Sequence, residues 1–523
     1  MKSMKMAIFI LMALMLAISM VWGASAVKES PTDTLKVAMS TLLYETFLPW
    51  NGGGMGAAYL SMINNFLVRS DPETADPNPG LAEKWEMSAD GKSWTFWLRK
   101  GVQWHEGWGE FTAADVKYTF ERQIDPKSIA GPAGQLRKLV AKIEAPEPYK
   151  VVFYLTSPYP EFNRGLVSDG SETPIICKKY LETVGDEKAN SHPIGTGPYT
   201  LAEYRRGTSI KLKTIEGVEK HWRVTPEFKE VTFLKVPEES TRVAMLKAGE
   251  VDLAPINYDS IDTIKASGLH IVSIPKNWSP MLKFGGLVTT DPKRYNPTTP
   301  WADKRVRQAL NYAVDKEAIV RKIFHGEASP AVNDLLMVES YDIKPYPYDP
   351  GKAKQLLTEA GYPNGFQITL KSFTTIPGAE LPMIGEVVAM YWSAIGLDVK
   401  IVPSDWGTVS GEWTTGKANN YVWTHRGRAF NDRLTLLNTS FGSSSLFAYY
   451  ATKETETWLD KINREFDAKK RSQLTREFIK DMYDEAAGVS LVYANEPYGA
   501  SKKVGHWPTI RYGAQNFDMI THR

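Results

Sequence analysis

The chain has 523 residues, with 62 basic and 60 acidic side chains, one cysteine and 16 tryptophans. A charge balance this close to neutral argues against nucleic acid or an anionic membrane surface as the main partner. The single cysteine, Cys177, excludes a disulfide framework and a cysteine-based zinc site. Chains of this length usually fold as more than one domain, and the tryptophans can supply both core and binding cleft.

Residues 1–26 have the pattern of an export signal. Lys2 and Lys5 precede an apolar run at 7–22, and an Ala-Ser-Ala sequence ends at Ala26. The run is shorter than the roughly 20 apolar residues that a membrane span needs. We therefore expect cleavage, a periplasmic location and no stable membrane insertion afterwards. Without the two lysines, the remaining chain carries equal numbers of basic and acidic side chains.

Behind the signal, short apolar or alternating runs are separated by stretches of helical periodicity, with turns rich in glycine and proline. This order predicts an α/β fold throughout. In chain order the pattern predicts a strand at 34–40, a helix at 57–67, a strand beginning at Ser93, a strand at 151–155, a helix ending at Gly249, helices before and after Asp315, a helix ending at Gly361, a helix at 381–395 and a strand at 397–402.

Three polar residues are placed to begin helices. Thr112 is followed three residues later by Asp115, which is a variant of the capping box. Asp349 precedes Pro350, a residue that suits the first helical turn. Asp315 can cap the second of the two helices on either side of it. These residues predict where the helices start.

Two stretches suggest chemistry but do not meet its requirements. The glycines of GGGMGA, residues 52–57, fit a dinucleotide pattern, yet such glycines must directly follow a strand, and about a dozen residues intervene here. WHEGWGE contains His105, Glu106 and Glu110 but only one of the two histidines that a helical zinc site needs, and its glycines favour a turn. The sequence has no Walker A motif and no nucleophile elbow. We expect neither a cofactor nor a bound metal.

Six ordered stretches carry a family resemblance, and they are residues 79–107, 111–122, 192–207, 242–254, 303–331 and 348–366. In order and spacing they resemble family 5 extracellular solute-binding proteins, the peptide/nickel-type binding components of ABC importers. The resemblance runs from about residue 33 to the C-terminus. Most of these residues serve as scaffold: Gly195 and Gly197 flank a tight turn, and Pro198 fixes its exit.

The resemblance implies an α/β, two-lobed periplasmic binding protein fold (type II, large form) with the ligand cleft between the lobes. Lobe I would comprise residues 32–277 and 494–523, with an extra subdomain at about 72–190, and lobe II residues 278–493. The implied mechanism is hinge closure around a small molecule or oligopeptide, followed by delivery to ABC permease subunits in the inner membrane. On this interpretation the protein is a monomer and not an enzyme.

The stretch YVWTHRG, residues 421–427, sets a histidine and an arginine beside aromatic residues. In the family, the segment that resembles it faces the cleft, and dipeptide- and oligopeptide-binding members resemble W-x-x-D there, with the acid holding the ligand's ammonium group. Trp423 matches, but Arg426 stands at the acid position. Dipeptide binders also place an arginine just before the helix similar to 381–395, where this chain has no base. Both anchors for a free dipeptide are therefore missing.

Three interpretations of Arg426 stay open. It pairs internally, with Asp432 or with an acid of lobe I. It binds a carboxylate, sulfate or phosphate group of the ligand, which a guanidinium group suits. Alternatively it stacks, together with Trp423, on a sugar or aromatic ligand. His425 is expected to be a hydrogen-bonding wall residue and not a metal ligand.

Further candidates come, through the resemblance, from the loop after the first strand, the crossing into lobe II and the end of the strand at 397–402. The complete candidate set is Tyr44, Glu45, Trp50, Asn277, Trp278, Trp406, Trp423, His425, Arg426 and Asp432. For each tryptophan, core packing is the alternative interpretation, and the charged neighbours of Trp423 favour ligand contact there.

The sequence thus predicts an exported solute-binding protein for a peptide-like or other small oligomeric or anionic ligand. A secreted polysaccharide hydrolase is the alternative from another class, and it would need two carboxylates at a fixed separation, which the sequence does not identify. A binding protein of the same fold that serves a sensor or chaperones peptides is a third possibility.

Overall fold

The computed structural model describes residues 33–42, 45–52, 58–72, 74, 76–165, 167–169, 173–333, 343–375, 378–428, 432–509 and 515–523. The strands are β1 Thr34–Met39, β2 Val68–Ser70, β3 Pro77–Pro79, β4 Ala82–Met87, β5 Ser93–Leu98, β6 Val140–Glu147, β7 Lys150–Leu155, β8 Tyr199–Arg205, β9 Ser209–Thr214, β10 Glu230–Lys235, β11 Leu253–Pro255, β12 His270–Phe284, β13 Ala328–Pro330, β14 Gln367–Ser372, β15 Asp398–Pro403, β16 Val422–Arg428, β17 Gly488–Ser490 and β18 Val492–Ala500. The α-helices are Leu60–Ile63, Ala113–Ile124, Ala133–Leu139, Phe162–Gly165, Lys178–Ser191, Glu239–Ala248, Ile261–Ala266, Lys304–Tyr312, Lys316–Lys322, Pro350–Glu359, Leu381–Ala394, Trp406–Thr414, Arg433–Phe441, Lys453–Arg464 and Ala468–Asp484.

One large mixed sheet organises most of these elements. Within the described residues it has twelve strands, ordered β15-β14-β16-β12-β18-β11-β1-β10-β9-β8, with β13 beside β18 and β17 beside β12. The pairs β1–β10 and β14–β15 are parallel, whereas β12 pairs antiparallel with both of its neighbours in this order, β16 and β18. Helices connect the parallel strands, as such crossovers require. The predicted α/β fold is confirmed.

Strand β12 belongs to both halves of the large sheet. Its first half pairs with β18, from His270 opposite Ala500 to Ile274 opposite Glu496. Its second half pairs with β16 as far as Phe284. The register with β18 shifts between Ile274 and Trp278. The chain therefore crosses from one half of the sheet to the other through β12 and β18, and the exact lobe boundaries named above stay a prediction.

The apolar residues form three main clusters. The largest surrounds buried residues such as Leu310, Leu370 and Trp392, next to β12, β14 and β16. A second lies around β1 and β10. The third fills a separate sheet of order β4-β5-β7-β6 and its helices Ala113–Ile124, Ala133–Leu139, Phe162–Gly165 and Lys178–Ser191. These four strands and four helices are called the four-stranded unit below.

The predicted helix starts are confirmed. Thr112 and Asp115 form a capping box, and the carboxylates of Asp315 and Asp349 accept backbone N–H bonds at 2.8 Å from the residues three positions ahead. The helix predicted at 57–67 is wrong in extent, because the described helix covers only Leu60–Ile63. The backbone is extended at the next residue, where two buried asparagines begin a segment that hydrogen-bonds to the loop at residues 196–197.

His105 holds the loop at residues 195–197 in place through two hydrogen bonds. Its Nδ1 accepts a hydrogen bond from the Gly195 N–H at 3.1 Å, and its Nε2 donates to the Gly197 carbonyl at 2.8 Å. This pattern uses the neutral ring, and burial lowers the pKa of His105 to about 4. His105 therefore has a structural role. The backbone at Ile63 lies so close to Gly195 that a Cβ added at Gly195 would be 1.9 Å from the Ile63 carbonyl oxygen.

We predict that Gly195→Ala lowers the free energy of unfolding by about 2–3 kcal/mol, because the added methyl group forces two backbone segments apart. The matched control is Gly134→Ala in helix Ala133–Leu139, where an added Cβ meets nothing within 4 Å. The control is expected to be neutral or stabilising by up to about 1 kcal/mol. Urea denaturation, monitored by tryptophan fluorescence, measures the stability of both variants. Equal stability of the two variants would contradict the packing argument.

Candidate ligand-binding site

The stretch around Arg426 lies in β16, opposite the second half of β12. Met281 is opposite His425, and Lys283 is opposite Trp423. Directly opposed residues of antiparallel strands project from the same face of the sheet. The pairing therefore places Lys283 and His425, which are far apart in the sequence, on one face.

Next to these strands lies a cavity of about 560 Å³, called the cationic cavity below. Its remaining walls come from the turn after β14, the helix Trp406–Thr414 and the helix Arg433–Phe441. The lining residues are Met281, Lys283, Phe373, Thr374, Thr375, Trp406, Trp413, His425, Arg426, Gly427, Leu436, Thr439, Ser440 and Phe447. None of these described lining residues is acidic. A ligand inside would meet cations, aromatic rings and hydroxyl groups.

Aromatic rings form much of the cavity wall. The Trp406 ring lies 5.8 Å from the Phe373 ring, and the Trp413 ring lies 5.4 Å from the Phe447 ring, measured between centroids. Trp406 and Phe447 are each 40% exposed, which is unusual for side chains of this size. Rings that are partly open to solvent inside a concave surface are typical of ligand-binding sites.

Lys283 is a buried cation held by aromatic rings. Its side chain belongs to a residue that is only 4% exposed. The ammonium nitrogen lies 4.4 Å from the centroid of the Trp413 ring and 4.5 Å from that of Tyr449. Both distances fall in the range of cation–π interactions, which offset part of the cost of removing the charge from water. Lys283 thus presents a positive charge at the cavity.

His425 is neutral in this environment. Burial, and then the positive charges of Lys283 and Arg426, hold its pKa well below the usual range. A neutral imidazole can donate one hydrogen bond and accept another. Among the described residues, none is in hydrogen-bonding position with Nδ1 of His425. Its ring lies 5.7 Å from that of Trp406, between centroids, so the two candidates share one wall.

Arg426 is also close to an acid of the crossing strand β18. Burial raises the pKa of the Glu496 carboxyl to about 7, against the opposing effects of the Arg426 charge and a hydrogen bond from Asn277. The Asn277 amide donates that bond to Oε2 of Glu496. Arg426 therefore lines the cationic cavity and is also close enough to Glu496 for its charge to act on that carboxyl. This acid belongs to the segment that the sequence assigns to lobe I, and Asn277 lies beside it.

Three of the predicted tryptophans lie in cores and do not line the cationic cavity. Trp278 is 1% exposed, and its Nε1 donates to the Tyr258 hydroxyl at 3.0 Å. Trp423 is equally buried, with its ring 5.2 Å from that of Trp413, so it supports the wall from behind. Trp50 lies in the core of the four-stranded unit. Ligand contact by these residues stays a prediction that the geometry does not favour.

The other acidic candidates lie elsewhere. Glu45 accepts hydrogen bonds from the Tyr204 hydroxyl at 3.1 Å and the Gly207 N–H at 2.6 Å. Asp432 begins the helix Arg433–Phe441 and accepts from the Thr435 N–H at 2.9 Å. Tyr44 falls outside the described residues. The structure thus brings Trp406, His425 and Arg426 to one cavity, with Asn277 close to it.

Sequence reasoning missed Lys283, Trp413, Phe447 and Glu496. Lys283 carried a usable signal, because it is the one charge within the apolar end of the crossing strand, and a buried charge needs a reason. Trp413 and Phe447 look like ordinary core or loop aromatics until the fold places them beside His425. Within the described residues, no group of three metal-binding side chains is close enough to hold an ion, and no helix is long and apolar enough to cross a bilayer.

Comparison with known proteins agrees with this architecture. The family model for bacterial extracellular solute-binding proteins, family 5, matches residues 76–447. The chain belongs to this family. It is therefore a solute-binding protein of the kind that serves ABC importers, and the family consists of binding proteins and not of enzymes. The resemblance drawn from the six sequence stretches is confirmed.

The similar proteins support the fold of this family 5 solute-binding protein over nearly its whole length. The dipeptide-binding protein of Escherichia coli K12 is 29% identical over 491 residues, covering 88% of this chain and 89% of its own. The glutathione-binding protein of Shigella boydii serotype 4 is 30% identical over 459 residues, covering 84% and 85%. The solved structure of HbpA2 from Haemophilus parasuis has a TM-score of 0.80 at 22% identity, covering 94% and 100%. The two-lobed fold is confirmed.

The environment of Glu496 predicts a pH dependence of stability. Its pKa is raised by folding, so the ionised form is disfavoured in the folded state, and stability is lost as pH rises from about 4.5 to 7. Glu496→Gln keeps an acceptor for Asn277 but cannot ionise. We expect the stability of the variant relative to the wild type to increase from pH 4.5 to 8 by up to about 3 kcal/mol.

Urea denaturation at several pH values measures this difference. Glu219→Gln, at an exposed position, is the control and is expected to show a difference that does not change with pH. A relative stability of Glu496→Gln that is flat across this range would show that the carboxyl is not destabilised by burial.

Proposed function

We propose that this family 5 protein is exported by its cleaved N-terminal signal, captures a small organic anion in the cationic cavity and delivers it unchanged to the permease of an ABC importer. The observation that carries the proposal is the lining of the cavity: Lys283 and Arg426 contribute positive charge, and none of the described lining residues contributes a carboxylate. Cations in a concave, partly apolar site favour an anionic group with an apolar or ring-bearing body.

The names of the similar proteins are consistent with a small organic ligand. Proteins named for binding dipeptides and glutathione share the fold over most of its length. A peptide-like ligand can use the same cavity through a carboxylate, with its remaining part against Trp406 and Phe447. The absence of an aspartate three residues after Trp423, where Arg426 stands, is then consistent with a ligand that is held chiefly at its acidic end.

The two-lobed fold supplies the capture mechanism. We propose that lobe I (residues 32–277 and 494–523) and lobe II (residues 278–493) move about the register shift in β12. The ligand stabilises the closed arrangement by as much as it binds that arrangement better than the open one. A monomer suffices for this mechanism, because both lobes belong to one chain.

We predict that Arg426→Ala weakens ligand binding at least tenfold, because a charged hydrogen bond to a buried anion contributes roughly 1.5–3 kcal/mol. The ligand is first identified by mass spectrometry of the small molecules released when the purified protein is denatured. Calorimetric titration with that molecule then measures affinity, and a thermal melt of the ligand-free protein measures stability. The control is Arg464→Ala, on an exposed helix face, which is expected to change neither.

The outcomes separate the interpretations of Arg426. Weaker binding with an unchanged melt supports direct anion binding. Unchanged affinity with a lowered melting temperature would show that Arg426 serves an internal pair with Glu496 and would overturn the proposal for this residue. Recovery of a chemically altered ligand after incubation would favour the hydrolase alternative.

A further inference from the structure

The helix Arg433–Phe441 has contacts on two sides. Leu436, Thr439 and Ser440 line the cationic cavity. Its first turn and the preceding Asp432 contact the four-stranded unit instead. The position of this one helix therefore depends on the four-stranded unit, while its other side shapes the site where the ligand is proposed to bind.

A group of polar side chains joins the start of the helix to the four-stranded unit. The Tyr159 hydroxyl donates to Oδ2 of Asp432 and lies 3.0 Å from Oγ1 of Thr435. The Gln135 amide donates to the same Thr435 oxygen at 3.0 Å. Asp432 is 6% exposed, so its carboxylate depends on such donors. Gln135, Tyr159, Asp432 and Thr435 are called the clasp below.

The absence of a side chain at Gly165 allows the four-stranded unit to come close to Asp432. At Gly165, in the four-stranded unit, an added Cβ would lie 2.6 Å from the Cβ of Asp432. Any larger residue there would push the two bodies apart. The close contact shows that the clasp joins surfaces already in van der Waals contact, and that its hydrogen bonds are not isolated surface bridges.

A buried ion pair joins the same two bodies nearby. Glu161 accepts from Nε of Arg471 at 3.1 Å and from its terminal nitrogen at 2.8 Å. Their side chains are only 7% and 8% exposed. Arg471 also donates to the Glu465 carbonyl at 2.9 Å, which fixes the guanidinium plane. Both nitrogens donate to the same oxygen, Oε1, so this charge-assisted contact holds the two bodies at a fixed distance.

We propose that Tyr159 is a positioning residue for the ligand cavity. Through Asp432 and Thr435, the clasp fixes the first turn of the helix Arg433–Phe441, and this turn fixes the wall formed by Leu436, Thr439 and Ser440. The four-stranded unit, which contributes no described residue to the cavity lining, thereby determines the shape of the cavity. The link to ligand binding rests on the function proposed above.

The sharpest variant is Tyr159→Phe. It removes the donor that the four-stranded unit supplies through Tyr159 but leaves the ring, and it leaves the helix cap intact because Asp432 still accepts from the Thr435 N–H and hydroxyl. The matched control is Tyr154→Phe on the same unit, whose hydroxyl donates to Glu144 at 3.0 Å on an exposed surface. Any shared effect of losing a tyrosine hydroxyl therefore cancels between the two variants.

Hydrogen–deuterium exchange of the ligand-free protein tests the clasp. In Tyr159→Phe we expect amides of residues 433–441 to exchange at least about fivefold faster than in the wild type, with exchange in the four-stranded unit unchanged. Tyr154→Phe is expected to match the wild type. Native mass spectrometry of each variant as purified, before its ligand is removed, then reports the fraction of protein that retains co-purified ligand, which we expect to fall in Tyr159→Phe and to match the wild type in Tyr154→Phe.

Each combination of results either supports or contradicts the proposed role of Tyr159. Faster exchange of 433–441 together with lower ligand retention supports the proposal. Unchanged exchange overturns the clasp, and faster exchange with unchanged retention overturns its link to the cavity. If the wild type itself retains no ligand, the proposed function fails, while the exchange measurement still decides whether the clasp positions the helix.

Discussion

The antiparallel pairing of β12 with both β18 and β16 is the constraint on which this architecture depends. One strand of 15 residues carries hydrogen bonds into both halves of the large sheet. A change in the angle between the halves must therefore be absorbed where its register shifts, between Ile274 and Trp278. The backbone there already includes Lys276 at a positive φ of 48°. The cationic cavity and the Asn277–Glu496 contact are built from these same strands.

Charge is distributed unevenly where β12, β16 and β18 meet. Lys283 and Arg426 face a cavity whose described lining has no acid, and His425 between them is kept neutral by their field and by burial. Glu496, the acid near Arg426, is itself partly neutralised by burial. The protein thus tolerates an excess of positive charge at this point, where aromatic rings lower its cost. Under the proposed function, an anionic ligand would bind against these cations.

The helix Arg433–Phe441 connects this site to the rest of the molecule. The four-stranded unit holds its start through Tyr159 and Gln135, and the Glu161–Arg471 pair reinforces the same junction. The unit is too far from β16 in the sequence for any local pattern to reveal this contact. Its physical importance follows from helix rigidity, because a helix fixed at its first turn transmits that position to side chains two turns away.

The sequence alone determined the local structure of this protein. Thr112, Asp315 and Asp349 identified helix starts because a capping side chain acts on a backbone amide only a few residues away. Ordered scaffold motifs determined the family and hence the two-lobed fold, and the charge at Arg426 indicated an unusual site. The tertiary structure decided which tryptophans line a cavity and which are core, since Trp423, for which the sequence favoured ligand contact, is 1% exposed, whereas Trp406 is 40% exposed. It also placed Lys283 and Arg426 in the lining of one cavity, Glu496 near Arg426, and Asp432 at the four-stranded unit. Long-range strand pairing and packing set these neighbours, and no periodicity within a single segment encodes them.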